Sequence, residues 1–189
     1  MDSIEAEKLA QQMLSPKRFA HVQGVVAAAT RLAEKYGVDV QKAVLAAWLH
    51  DIVKEYDKNA LLQLMRQDGI ISTSLLTRPF AVWHGPCAAV YARTVLGVQD
   101  EEVLSAVACH TTGRVGMSDL DKVLYLADGI SAERNYAGVE ELRRLAKTDL
   151  NAAVMKAMRD GIQRLQQKGR EVDGQSLEAL RDLSNRYPQ

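Results

Sequence analysis

The sequence predicts an all-α protein, on three observations. Apolar residues recur at three- and four-residue spacing nearly everywhere, no run alternates convincingly with period two, and Ser, Asp, Gly and Pro punctuate the periodic stretches. The first clear helix opens at Ser15-Pro16, a capping residue followed by a proline in the first turn, and closes at Gly37 after Tyr36. Asp39 can cap the next helix, which carries the stretch WLHDIVK from Trp48 to Lys54. Asp57 starts a short helix that stops at Gly69. The segment SLLTRPFAVWHGP, with Pro79 and Pro86, reads as irregular or broken and leads into a helix that ends at Gly97. Asp100, Glu101 and Glu102 open a helix through His110; the loop TTGRVG follows, and Ser118 caps a helix containing Asp128. After Arg134 the chain is amphipathic to its end, with breaks near Lys168-Gly169 and at Asp173-Gly174. No repeat, low-complexity stretch or composition shift divides it, so one domain spanning residues 1–189 is expected.

Composition narrows the function classes. With 189 residues, 47% hydrophobic and 25% charged, the chain is large enough to bury a substantial core and has the make-up of a soluble globular protein. Lys+Arg and Asp+Glu are both 24, so no global basic field favours nucleic acid, and an anionic partner must be recognised locally. The acidic, polar start MDSIEAEK predicts neither a secretory signal nor a transit peptide. The longest apolar run, Ala43 to Leu49, is too short to span a bilayer. Cys87 and Cys109 show neither a CxxC spacing nor a disulfide framework, and read as reduced, partly buried thiols in a cytoplasmic protein.

The four histidines each follow a short apolar run: FAHV at His21, WLHD at His50, AVWHG at His84 and VACHTT at His110. Helical spacing puts His21 on one stripe with Val25, Ala28, Ala29 and Leu32, His50 with Ala43, Ala46 and Ala47, and His110 with Val103, Ala106 and Val107. Small residues on those stripes let helices approach closely at the level of the imidazoles. A lone histidine so placed reads as a buried neutral imidazole with one hydrogen bond. Four of them beside core-facing carboxylates need another explanation.

Those carboxylates are Asp51 and Asp128. Asp128 follows the stripe Leu120, Val123, Leu124, Ala127 by one position, so it either borders or enters the core face, or is a surface or helix-capping aspartate. On a continuous helix Asp51 stands about 100° around from His50, close enough for both to reach one ion. Imidazole with carboxylate is a ligand set for iron, manganese or zinc. A cation also compensates buried negative charge that otherwise costs several kcal/mol. Lys54, four residues after His50 and three after Asp51, lies on the same side. It either faces an anionic ligand or carries its ammonium out to solvent.

The order His21, His50-Asp51, His84, His110, Asp128, with the strings LHDIVK, WHGP, CHTTGR, MSDLDKVLYLADGIS and ERNYAGVEELR, resembles the HD-domain metal-dependent phosphohydrolases. Within them it is most similar to the YqeK-type subgroup, bacterial symmetrical bis(5'-nucleosyl)-tetraphosphatases. The resemblance covers about residues 18–144, and residues 145–189 offer only helical amphipathicity. It implies a helical bundle enclosing a dinuclear metal site, often di-iron, that splits diadenosine tetraphosphate in its middle to two ADP. It implies His21, His50, Asp51 and Asp128 on one ion, and Asp51 bridging to a second ion held by His84 and His110. Such ions lower the pKa of water and polarise a phosphoryl oxygen. Lys54 and Arg134 are the candidates for cradling phosphates. Thr111, Thr112 and Gly113 form either a phosphate-donating turn or an ordinary helix terminus, and Tyr136 either stacks on a base or packs. One departure stands out: where the family carries an acidic residue and proline, this chain has Ser131-Ala132-Glu133.

The alternatives are another HD-domain nucleotidase or phosphodiesterase, or a non-catalytic module that senses nucleotide or metal. The full set of six candidate ligands argues for catalysis. The expected partner is a small nucleotide, without nucleic acid or membrane, and the amphipathic C-terminal region serves either the core or a homodimer.

Overall fold

Short polar side chains start the helices and glycines stop them. The structure, a computed structural model, describes residues 1–67 and 73–188 and is helical without a strand among them. The elements are α1 (Ser3–Met13), α2 (Pro16–Tyr36), α3 (Val40–Leu49), α4 (Lys58–Gln67) and α5 (Thr73–Leu76), then a 3-10 turn (Phe80–Val82). There follow α6 (His84–Thr94), α7 (Glu101–Cys109), α8 (Asp119–Ile130), α9 (Val139–Leu145), α10 (Leu150–Gln167) and α11 (Gly174–Arg186). Ser15, Asp39, Asp100 and Ser118 each accept from a backbone N–H of the turn that follows, as the sequence predicts, and Asp173, expected only as a break, caps α11 in the same way. Gly37 ends α2 in the left-handed region at φ 67°.

Three details depart from the sequence reading or extend it, and one expectation goes untested. The N-terminal α1 was not expected, yet Asp2 and Glu5 form a reciprocal capping box around its first turn. The amphipathic stretch after Arg134 has a further break, where Asp149 caps α10. The expected stop at Gly69 lies outside the described residues. Most important for the site, α3 ends at Leu49. Asp51 to Lys54 do not continue it: Ile52 N–H donates to Leu49 O and Lys54 N–H to Asp51 O, the tighter three-residue bonding of turns. Asp51 is therefore not a helical neighbour of His50.

Helix α2 packs on α3 and α8, and α7 packs on α3, α6 and α8. Where they meet, Ala29, Ala43, Ala46, Ala47 and Ala106 are fully buried, so backbones approach closely and leave a pocket for the imidazoles. The C-terminal helices join the same apolar cluster, which extends from Ala6 to Leu183. Arg78 grips Asp173, at the start of α11, through Nε at 2.7 Å and Nη2 at 3.1 Å. No helix among the described residues is long and apolar enough to cross a membrane.

Candidate metal centre

Three of the four histidines sit at helix ends. His50 and His110 follow the last residues of α3 and α7, and His84 opens α6. There the Nδ1 of each meets a backbone carbonyl three residues earlier: His50 with Ala47 at 2.6 Å, His110 with Val107 at 2.7 Å and His84 with Ala81 at 3.0 Å. A carbonyl only accepts, so in His50 and His110 Nδ1 carries the proton and Nε2 presents its lone pair; at His84, where Lys54 Nζ stands 3.1 Å from Nδ1 and 3.0 Å from Nε2, the Ala81 carbonyl favours the same tautomer. His21, in the second turn of α2, turns its Nδ1 to a Glu133 oxygen instead.

All four Nε2 atoms converge on Asp51, which is 3% exposed. Its Oδ1 faces His84 at 3.4 Å and His110 at 3.8 Å; its Oδ2 faces His50 at 3.5 Å and His21 at 3.8 Å. The ligand atoms of His21, His50 and Asp51 lie within 4.8 Å of one another, and so do those of Asp51, His84 and His110. Two donors each about 2.1 Å from one ion stand about 3.4 Å apart at a tetrahedral angle, so these spacings need only slight closure to hold a cation.

The electrostatics ask for one. The Nε2 atoms of His84 and His110 face each other at 3.1 Å, and the Thr111 hydroxyl, 3.2 Å from both, can donate to one at a time. The Nε2 atoms of His21 and His50 are buried without an aligned hydrogen-bond partner. Each such buried group costs about 1–3 kcal/mol, and a divalent cation satisfies them together. Burial, then His110 and Lys54, pushes the His84 pKa down to about 2; burial, then His50, pushes that of His110 down to about 4. Both rings are neutral at pH 7, the form that binds a metal. Burial alone would raise the Asp51 pKa, but His50, His110 and His84 hold it below the usual carboxylate range. Burial alone would lower that of His21, but Asp128 and Glu133 raise it.

The remaining candidates surround this core. Asp128 Oδ1 lies 3.1 Å from His21 Nε2 and is also gripped by Arg134, which reaches the Asp128 carbonyl at 2.9 Å through Nε. Asp128 thus joins the His21 side without entering either close triad. Lys54 places Nζ 3.0 Å from His84 Nε2, half-buried beside the centre, and burial lowers its pKa. Thr111 touches the histidines. Thr112 and Gly113 serve the turn itself: Thr112 Oγ1 donates to the Gly113 carbonyl, and Gly113 stands at φ 69° where a Cβ would collide with Met158. Tyr136 donates to the Gly129 carbonyl at 2.7 Å and stacks under Arg164. From Thr111 and Arg134 a cleft of about 460 Å³ leads outward past Arg164, Lys168 and Arg170.

Two residues were missed by sequence reasoning. Arg18 donates to Asp51 Oδ2 at 2.9 Å; its position one turn before His21 was the available signal. Glu133 reaches His21 across 112 residues of chain, and no local pattern announces that contact.

The chain is similar to several known proteins over most of its length. The HD domain family matches residues 18–133. A protein of Halalkalibacterium halodurans named "Bis(5'-nucleosyl)-tetraphosphatase, symmetrical" is 39% identical over 97% of this chain and 97% of its own length. A Bacillus subtilis protein of the same name is 38% identical over 91% of this chain and 92% of its own. A crystal structure from Clostridium acetobutylicum, described as a "predicted HD superfamily hydrolase involved in NAD metabolism", superimposes with a TM-score of 0.93. It is 33% identical, and the alignment covers 99% of both chains. With a buried His/Asp cluster, a helical bundle and these relatives, the chain belongs to the HD-domain family of hydrolases.

Proposed function

We propose that the protein is a metal-dependent hydrolase that splits diadenosine tetraphosphate symmetrically into two ADP. The observation that carries the metal centre is the convergence of four imidazole Nε2 atoms on both oxygens of one buried carboxylate. The relatives named as symmetrical tetraphosphatases supply the substrate. His21, His50, Asp51 and Asp128 are proposed for one divalent ion, with Asp51, His84 and His110 for the second; iron is the favoured metal and manganese an alternative.

Ions held by these residues would supply Lewis acidity and would lower the pKa of water enough for hydroxide to be available at neutral pH. The chain's own groups do the rest. Arg18, Lys54 and Arg134 ring the centre with positive charge that can hold the oxygens of the phosphate chain. The Thr111 hydroxyl is placed to donate to an oxygen beside His84 and His110. The cleft beyond Thr111 can take one half of the substrate, with Arg164, Lys168 and Arg170 along its wall. Water adds to one of the two inner phosphorus atoms, the bond to the central bridging oxygen breaks, and that oxygen leaves on the other ADP. We take residues 1–189 as one unit, since the C-terminal helices share its apolar core, and expect it to act in the cytoplasm.

Incubating the purified protein with diadenosine tetraphosphate and iron or manganese, beside a chelated control, tests the reading. ADP as the sole nucleotide product is expected. AMP plus ATP would overturn symmetrical cleavage, and absence of turnover with metal bound would favour a sensor.

A further inference from the structure

We infer that Glu133 is a positioning residue for the metal centre: it fixes the His21 ring from outside so that Nε2 faces Asp51. The inference rests on the metal reading above. His50, His84 and His110 tie their Nδ1 atoms to carbonyls at or beside helix ends. His21 lies inside α2, where the backbone carbonyls before it already serve the helix's own hydrogen bonds. Its Nδ1 needs an acceptor from elsewhere, and Glu133 brings one from the loop after α8.

The chain is shaped to seat that carboxylate. Ser131 Oγ donates to the same Glu133 oxygen at 2.6 Å. Gly24, one turn beyond His21, lies against the other: a Cβ there would collide with Glu133 Oε2. Glycine inside a helix is less favourable than alanine, so its presence in the middle of a 21-residue helix has a local reason. Arg143 clamps the loop by donating to the carbonyls of Ile130 at 3.0 Å, Ser131 at 2.6 Å and Arg134 at 3.0 Å.

Chelator-stripped full-length protein titrated calorimetrically with Mn²⁺ tests this. The wild type is expected to take two ions per chain. His21 belongs to one triad alone, so Glu133→Ala should weaken one ion by about 10–100-fold, the usual cost of removing a partner behind a metal-binding histidine, and leave the other. Gly24→Ala should displace Glu133 and do the same while the thermal midpoint stays level or rises. Glu133→Gln, whose amide oxygen still accepts, should recover most of the affinity. Wild-type binding of both ions by Glu133→Ala and Gly24→Ala would overturn the inference. So would equal weakening of both ions with a fallen midpoint, the mark of a merely structural role. Absence of any Mn²⁺ uptake by the wild type would overturn the metal reading and this inference with it.

Discussion

Replacing Asp51 by asparagine separates the cost of its charge from the benefit of a bound cation. In the metal-free chain this carboxylate has one charged donor, Arg18 at 2.9 Å, while four imidazole nitrogens stand 3.4–3.8 Å away. The amide keeps the shape, removes a buried charge, and offers an NH₂ that a His50 or His84 lone pair can accept. Arg18, whose side chain is 30% exposed, can relax into water. Metal-free stability should therefore change by about 1 kcal/mol or less, the two effects opposing each other. The metal-loaded state behaves differently. At free metal 100 times the dissociation constant, one site stabilises the folded chain by about 2.7 kcal/mol. For a chain of this size that is a rise of about 5–10 °C in thermal midpoint. Asp51→Asn, lacking the charge shared by both triads, should show almost none of it.

The assay is thermal unfolding with and without Mn²⁺, paired with elemental analysis and turnover. The wild type should gain the shift, and the variant should lose the shift, most bound metal and nearly all hydrolysis. A variant that keeps full metal content and the same shift would refute the proposal that Asp51 serves both triads. A variant already unfolded without metal would refute the near-cancellation of the two effects and show that the charge itself holds the metal-free fold together.

Lys54→Ala should give the opposite profile, keeping metal but losing about 10–100-fold in kcat/KM, the worth of one charge-assisted hydrogen bond to phosphate; unchanged kinetics would return Lys54 to a packing role. Asp173→Ala removes both the Arg78 fork and the cap of α11, and should lower urea stability by about 2–4 kcal/mol. A loss below about 0.5 kcal/mol would mean that the C-terminal helices are not fastened there. Burial pushes the Cys87 thiol up to about 12 and that of Cys109 up as well. Neither should react with a thiol reagent at pH 8 until the chain is unfolded in guanidinium, and immediate labelling of the folded protein would contradict their burial.

The readable part of the site was the part encoded in contradictions. An imidazole after an apolar run, or a carboxylate beside an alanine stripe, is costly in a core unless something answers it, and that cost can be seen along one strand of text. Helix starts were equally legible where Ser, Asp and Pro preceded the periodic stretch. Helix α1 carries its signal in a reciprocal pair, Asp2 and Glu5, inside a segment whose dominant feature is polarity. The end of α3 at Leu49 is hidden for a physical reason: His50 to Val53 stay as buried as the helix before them, and Ile52 and Val53 prolong its apolar pattern, although their backbone tightens. Glu133 was invisible because its partners, His21 and Gly24, lie on another element more than a hundred residues away.

The early end of α3 also explains why the centre can form. A helix presents neighbouring side chains about 100° apart, which spreads ligands around its circumference. Stopping α3 at Leu49 and α7 at Cys109 leaves His50 and His110 as caps, each bonding a carbonyl of its own last turn. The same bond therefore finishes the helix and sets the tautomer that points Nε2 inward. The tighter turn after His50 then carries Asp51 among four imidazoles supplied by or beside α2, α3, α6 and α7. His21 alone stands inside a helix and has no terminal carbonyl to use. It is also the histidine whose outer nitrogen is met by a distant carboxylate, against a glycine that leaves room for it.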